Sequence, residues 1–332
     1  MPLPAPLSSR LRLPLIAAPM FLVSGPALVK AACRGGVIGS FPTANCRTSE
    51  ELGAWLDDLR DDLARAADET GRAPAPFCPN LIVHRSNPRL ADDLASVLRH
   101  GAEIVITSVG SPEPVLGPLK DAGCLVLADV ASARHAEKAA AAGVDGLVLL
   151  TAGAGGQTGW ANPFAFARAV RAFWKGIVVM AGGMADGHAV AAAEALGCDL
   201  AYMGTKFIAT RESMAKDAYK AMLVRSRLDD VLLTRAFTGL ETNMLRPSIE
   251  AAGLDPANLP SRGGIDIAKD INAAERDERR PGAGPDTKRW KDIWSAGHSV
   301  SGVCEVPSAA ELIERTAAEY AAARRSMQRV EP

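Results

Sequence analysis

Two glycine-rich segments carry the chemistry this sequence is equipped for: Ala181-Gly182-Gly183-Met184-Ala185-Asp186-Gly187 and, further along, Met203-Gly204-Thr205-Lys206-Phe207. Adjacent glycines bring the main chain close to an anion, their N–H groups donate to its oxygens, and a helix starting just beyond adds favourable potential. Glycine pairs also form ordinary turns. The weight therefore rests on the pattern recurring at the ends of two successive apolar runs, where α/β barrels hold phosphate. The ligand this points to is a mononucleotide. Titratable groups that such a site can use are His84, just after one apolar run, Asp129, near the end of another, and His298 towards the C-terminus. Their plain alternatives are solvated loop histidines and a helix-capping acid. His100, His135 and His188 fall in helical stretches and read as structural or exposed. No His, Cys, Asp and Glu cluster has ligand spacing, so no metal is expected. The six cysteines are scattered without a C-x-x-C pair and read as reduced thiols.

Eight apolar runs must position these groups: Leu15 to Pro19, Val37 to Phe41, Phe77 to Val83, Glu103 to Val109, Cys124 to Val130, Gly146 to Ala152, Gly176 to Gly182 and Leu200 to Phe207. Most are continuous rather than alternating, as expected for strands covered on both faces. Ala-rich stretches long enough for crossover helices separate them. Several end in a glycine (Gly101, Gly123, Gly143, Gly197) suited to the left-handed position that stops a helix. Ser111-Pro112 and Asn162-Pro163 each set a capping side chain before a proline fit for a first helical turn. Eight strand–helix units predict an α/β fold, a closed (β/α)8 TIM barrel, in preference to an open doubly wound sheet carrying G-x-G-x-x-G after its first strand. Reactive groups then gather at the carboxyl ends of the strands. Trp160 and Tyr202 read as core or pocket wall.

Past the eighth run the periodicity fades. Ala215 to Arg227 reads as a helix, Thr238 to Ser248 as a lining of the substrate entrance, and Pro256 to Pro285 as a surface excursion. The stretch from Ser308 to Met327 is expected to be a closing helix that docks on the barrel or at a homodimer interface. The division expected is a barrel core over 1–240, a lid or substrate-side insertion over 241–306, and a C-terminal helix over 307–332. The 37 basic and 38 acidic side chains leave a net charge of −1, so no global field draws the protein to nucleic acid or an anionic membrane. Prolines interrupt the N-terminal stretch where a signal peptide needs an apolar run, and no span of eighteen apolar residues occurs. A cytoplasmic enzyme with a small-molecule substrate is the expectation.

Beyond these patterns the chain resembles the nitronate monooxygenase (2-nitropropane dioxygenase) family of FMN-dependent barrel enzymes, a group that also includes flavin-dependent enoyl reductases and NADH:quinone reductases. The matching segments are LPLIAAPM at the start, CPNLIV at the third run, AGVDGLVLLTAGAGGQTG at the sixth, MAGGMADGHAVAAAEALGCDLAYMGTKFIATRES across the seventh and eighth, and WSAG near the end. They span nearly the whole chain, most weakly from about Met244 to Lys288. The resemblance implies FMN as cofactor and O2 as co-substrate. It also implies that the backbone of Ala17, Ala18, Pro19 and Met20 passes beside the isoalloxazine, and that Asn80 hydrogen-bonds the flavin. Gly155, Gly156 and Gln157 would line the sixth loop, Gly182, Gly183, Gly204 and Thr205 would hold the phosphate, and Ser295, Ala296 and Gly297 would approach from the C-terminal side.

One departure bears on mechanism. Many members of that family carry His where this chain has Gln157. Glutamine takes up no proton near neutrality, although its amide can hydrogen-bond an anionic nitro group. Either a base comes from elsewhere, with His84, Asp129 and His298 as candidates, or the substrate arrives deprotonated, as a nitronate does. Three functions stay open: an FMN monooxygenase of alkyl nitronates, expected first; an FMN-dependent NAD(P)H:quinone or enoyl reductase; and a non-redox barrel that binds a phosphorylated metabolite.

Overall fold

The eight apolar runs are the eight staves of a closed parallel barrel. The computed structural model describes residues 3–259 and 293–328. In chain order its strands are β1 (Leu15–Ala17), β2 (Ile38–Pro42), β3 (Phe77–Ile82), β4 (Ile104–Ser108), β5 (Leu125–Val130), β6 (Gly146–Leu150), β7 (Gly156–Gln157), β8 (Ile177–Ala181), β9 (Leu200–Met203), β10 (Val231–Thr234) and β11 (Thr242–Leu245). The barrel runs β1-β2-β3-β4-β5-β6-β8-β9 and closes where Ile16 of β1 sits opposite Tyr202 of β9.

Both faces of every stave are covered, which is why the runs are continuously apolar. Ile16, Ile38, Ile106, Leu127, Val148, Val179 and Leu200 fill the interior, while Leu15, Ala17, Val105, Val126, Leu147 and Val178 face the helices outside. Each large side chain so buried contributes about 1.5–3 kcal/mol. Gly101, Gly123, Gly143 and Gly197 all adopt positive φ at helix ends. Asn162 caps its helix, accepting from the N–H groups of Phe164 and Ala165. Ser111 differs: Pro112 holds the capping position, and the Ser111 hydroxyl instead bonds Glu113.

The helix Ala309–Gln328 lies between the helices Gly187–Ala195 and Pro26–Arg34, over the seam of β9 and β1. Its approach is close: a Cβ on Gly187 would stand 2.1 Å from the Tyr320 nitrogen, and one on Gly35 2.6 Å from Ile313 Cδ1. Short strands β7, β11 and β10 form a separate antiparallel sheet that the sequence pattern does not announce. Trp160, expected as core or pocket wall, is 75% exposed, because it stands in the loop between β7 and the next helix. Most of the excursion expected over Pro256 to Pro285 lies outside the described residues. Among the described residues no helix is long and apolar enough to cross a membrane.

Candidate active site

Strand alternation decides what faces the barrel mouth. Because Leu127 points into the interior, Asp129, two residues on, does so one layer higher at the carboxyl end of β5. The same parity turns Ser40, Asn80 and Ser108 inward above Ile38, Cys78 and Ile106. The result is a polar crescent on β2 to β5, facing Leu150 and Ala181 of β6 and β8. Within it, Asn80 Oδ1 accepts from Ser108 Oγ at 3.2 Å, Asn80 Nδ2 donates to the Ile106 carbonyl at 3.4 Å, and the Ser40 hydroxyl donates to the Ala17 carbonyl.

Asp129 is the exception in the crescent. Its Oδ1 is buried with no hydrogen-bond partner among the described residues, although the residue keeps some accessible surface. Burial, with no cation beside it among the described residues, pushes the carboxyl up to about 7. Burial also drives Cys78 and Tyr202 well above their ordinary values, and the nearby Asp129 adds to both shifts. The alternative role of helix cap does not apply to Asp129, since Ser132 accepts from the His135 N–H. His84 is turned to its own loop, where Nδ1 meets Ser86 Oγ at 2.8 Å. His298 is exposed. Of the three titratable candidates the structure brings only Asp129 into the barrel.

The two glycine turns do adjoin. Gly183 has φ +72° and open space where a Cβ would stand. The N–H groups of Gly183 and Met184 find no acceptor among the described residues. Gly182 serves packing, since its Cβ would lie 2.4 Å from Thr151 Oγ1. Gly204 lies against the end of β1: its Cβ would meet Met20 Sδ at 3.5 Å and Ala18 Cβ at 3.6 Å, and the Ala18 N–H donates to the Met203 carbonyl at 2.9 Å. Thr205 is buried, its hydroxyl accepting from the Gly297 N–H at 2.9 Å, so its own N–H in the first turn of Thr205–Ile208 is what it can offer a ligand. One expectation is corrected. The helix after β8 does not present a free N-terminus, because Asp186 accepts from Ala189 N and Glu319 from Gly187 N. Lys206, which sequence reasoning passed over, donates to the Gly302 carbonyl, and burial lowers its pKa.

The loop after β6 is stitched into the C-terminal part. Gln157 pairs with Thr242 and Gly156 with Asn243, and Asn243 Nδ2 donates to the Ala154 carbonyl at 2.7 Å. Leu245 N donates to the Trp294 carbonyl and His298 N to that of Gly153. Tyr219 stacks on Trp294 with ring centroids 5.0 Å apart, while its hydroxyl donates to the Ser295 carbonyl at 2.5 Å. Ala296 is fully buried in a cluster with Val23, Ile208 and Leu245, against which Met20 packs. Met20, the sixth loop, the β9 turn and Ser295 to Gly297 therefore meet at one mouth. The Gln157 amide bonds to no described residue. Ala17 offers only backbone, its side chain being part of the outer core. Leu22 (φ 57°) and Val109 (φ 56°) lie just past β1 and β4; for such residues this conformation costs roughly 1–2 kcal/mol, and both positions are on the mouth side.

Comparison with known proteins places the chain in a family. The family model described as nitronate monooxygenase matches residues 85–319. A nitronate monooxygenase of Paraburkholderia phytofirmans is 30% identical over 314 residues, covering 79% of this chain and 82% of that protein. A (3aS,4S,5R,7aS)-5-hydroxy-7a-methyl-1-oxo-octahydro-1H-indene-4-carboxyl-CoA dehydrogenase of Mycobacterium tuberculosis is 27% identical over 71% of this chain, which spans 64% of that relative's length. Among solved structures, a nitroalkane oxidase of Streptomyces ansochromogenes is 26% identical with a TM-score of 0.76, covering 97% of this chain and 99% of its own. FabK of Thermotoga maritima, 24% identical with a TM-score of 0.75 over 97% of each chain, shares the fold. The family match and the sequence likeness show that this chain belongs to the nitronate monooxygenase family of oxidoreductases.

Proposed function

We propose that this protein is an FMN-dependent oxidoreductase that oxidises alkyl nitronates with O2. The observation that carries the reading is the adjoining pair of turns: a positive-φ Gly183 with room beside it and N–H groups without an acceptor among the described residues, next to Gly204 and Thr205. With Ala18 to Met20 alongside and a polar crescent across the mouth, these residues fit a phosphate-bearing flavin. FMN, when bound, supplies the capacity to take electrons from the substrate and pass them to O2.

The N–H groups of Gly183, Met184 and Thr205 hold the phosphate, with Gly204 leaving the approach clear. Met20, Ser295 and the buried Ala296 close the mouth against water. The Gln157 amide, which bonds to no other described residue, donates to an oxygen of the anionic nitro group. A nitronate arrives without its α-proton, so neither His84 nor Asp129 is required as a base. An FMN-dependent NAD(P)H:quinone or enoyl reductase is the second reading, favoured by Gln157, whose chemistry leaves the mouth without a base on its sixth loop.

The test is an absorbance spectrum of the purified protein, followed by aerobic turnover of a preformed alkyl nitronate and anaerobic addition of NADH. Bound FMN with nitronate oxidation and no bleaching by NADH supports the first reading. Rapid bleaching without nitronate turnover supports the reductase. A colourless protein that takes up no added FMN defeats both.

A further inference from the structure

A buried oxygen with no partner is rare enough in a folded protein to need a cause. Asp129 Oδ1 is such an atom, and it sits on the inner face of the barrel where a ligand seated in the mouth would rest. Its surroundings are neutral. Cys78 of β3 and Tyr202 of β9 are the titratable groups near it, and both are held in their protonated forms by burial. Among the described residues no cation is within reach to keep the carboxyl ionised, and burial raises it.

The crescent also has a direction. Asn80, Ser108 and Asp129 stand on β3, β4 and β5, and in the closed order of strands these lie across the barrel from the turns after β8 and β9. A flavin anchored by its phosphate at those turns carries its ring away from them. The ring has one half rich in carbonyls and ring nitrogens and one half that is hydrocarbon. A polar wall on one side and an apolar wall of Leu150 and Ala181 on the other sort the two halves.

We infer that Asp129, beside Asn80, receives the hydrogen-bonding half of the flavin ring, its carboxyl group donating to a ring carbonyl or nitrogen through one oxygen and accepting from a ring N–H through the other. This rests on the FMN reading above. A carboxylic acid presents a donor and an acceptor side by side, the complement of an amide-like ring edge, and both oxygens of Asp129 are then satisfied. The acid also becomes a tuning element. Its neutral form tolerates the electron density added to the ring on reduction, whereas a carboxylate opposes it.

The experiment uses the full-length protein loaded with FMN, as wild type, D129N and D129L. FMN affinity is read from flavin fluorescence, and the midpoint potential from dye equilibration across the range around pH 7 where the carboxyl titrates. The wild-type potential should fall more steeply with pH as Asp129 ionises. D129N, which keeps a donor and an acceptor but has no proton to lose, should bind FMN within about threefold of wild type and lack that steepening. D129L should bind FMN about tenfold or more weakly, while its FMN-free form melts no lower than wild type, which separates loss of contact from loss of fold. D129L matching wild type in affinity and potential, or D129N retaining the pH steepening, overturns the inference while the FMN reading stands. Wild type that takes up no FMN overturns both.

Discussion

Gly155 and Gly297 pass backbone to backbone: a Cβ on Gly155 would lie 2.6 Å from the Gly297 nitrogen, and a Cβ on Gly297 would lie 2.5 Å from the Gly153 carbonyl oxygen. The sixth barrel loop and the C-terminal segment thus touch with no side chain between them. Gly155, expected to line a flavin pocket, has a second reason to be glycine.

Gly297→Ala should therefore be costly. Neither neighbour is a flexible side-chain tip, so the crossing must open, at about 1–3 kcal/mol by the usual toll of overpacking. The Gly297 N–H that donates to Thr205 moves with it. We expect a lower melting temperature together with weaker FMN retention. A variant as stable as wild type would show that the two segments part freely.

Gln157→His returns a titratable group to the sixth loop. Wild type is expected to oxidise preformed nitronate while scarcely consuming the neutral nitroalkane. The variant should gain at least about tenfold on the neutral form, a modest share of what a placed general base contributes, with the gain growing as pH rises through the imidazole range. Equal turnover of both substrate forms by wild type near neutrality contradicts the role assigned to Gln157.

The raised Asp129 carboxyl has a thermodynamic signature in FMN-free protein. Below the ordinary value of 3.8 the group is protonated whether the chain is folded or not. Between there and about 7 the unfolded chain releases the proton and the folded one retains it, so stability declines with rising pH across that window and levels off above it. The total approaches something on the order of 4 kcal/mol. Subtracting the denaturant stability of D129L from that of wild type at each pH should expose this slope. A flat difference would mean that Asp129 ionises normally in the fold.

Arg171 works at the opposite end of the barrel. Its guanidinium reaches Asp199 at 2.5 Å and the carbonyls of Gly197 and Gly176 at 2.6 Å each, and Asp199 in turn accepts from Val178 N. Arg171→Ala leaves a partly buried carboxylate without its cation and two carbonyls without their side-chain donor, at about 2–3 kcal/mol after allowance for solvent access. Unfolding should come at lower denaturant, with the flavin spectrum and nitronate turnover of the folded protein unchanged. Loss of flavin in the folded variant would argue against so clean a division of labour.

The barrel was legible because each stave is a local apolar run set off by helix signals, such as Gly143 ending one helix and Asn162-Pro163 starting another. The small sheet was not. Gly156 and Gln157 take strand geometry only because Thr242 and Asn243 come alongside, and a pairing across so long a stretch of chain leaves no mark in either short segment. Asp129 was legible as a candidate but not as an orphan. From Leu125 to Ala128 the apolar residues are continuous, so nothing local shows which parity faces inward, and the missing partner is a property of neighbouring strands together. Trp160 misled for the opposite reason: its type favours burial, and its loop gives it none. Glu319, which closes the helix after β8, lies too far along the sequence to be connected with it.

The placement of the helix Ala309–Gln328 has a consequence for how the molecule comes into being. Each other gap between neighbouring staves is roofed by chain that follows at once, whereas the β9–β1 seam waits for a segment about a hundred residues downstream. On the ribosome the nascent ring stays unroofed along that one edge until the helix Ala309–Gln328 has emerged. That interval is when the chain is most open to chaperone capture, and a stall within it would present a sticky, half-finished cylinder to the cell.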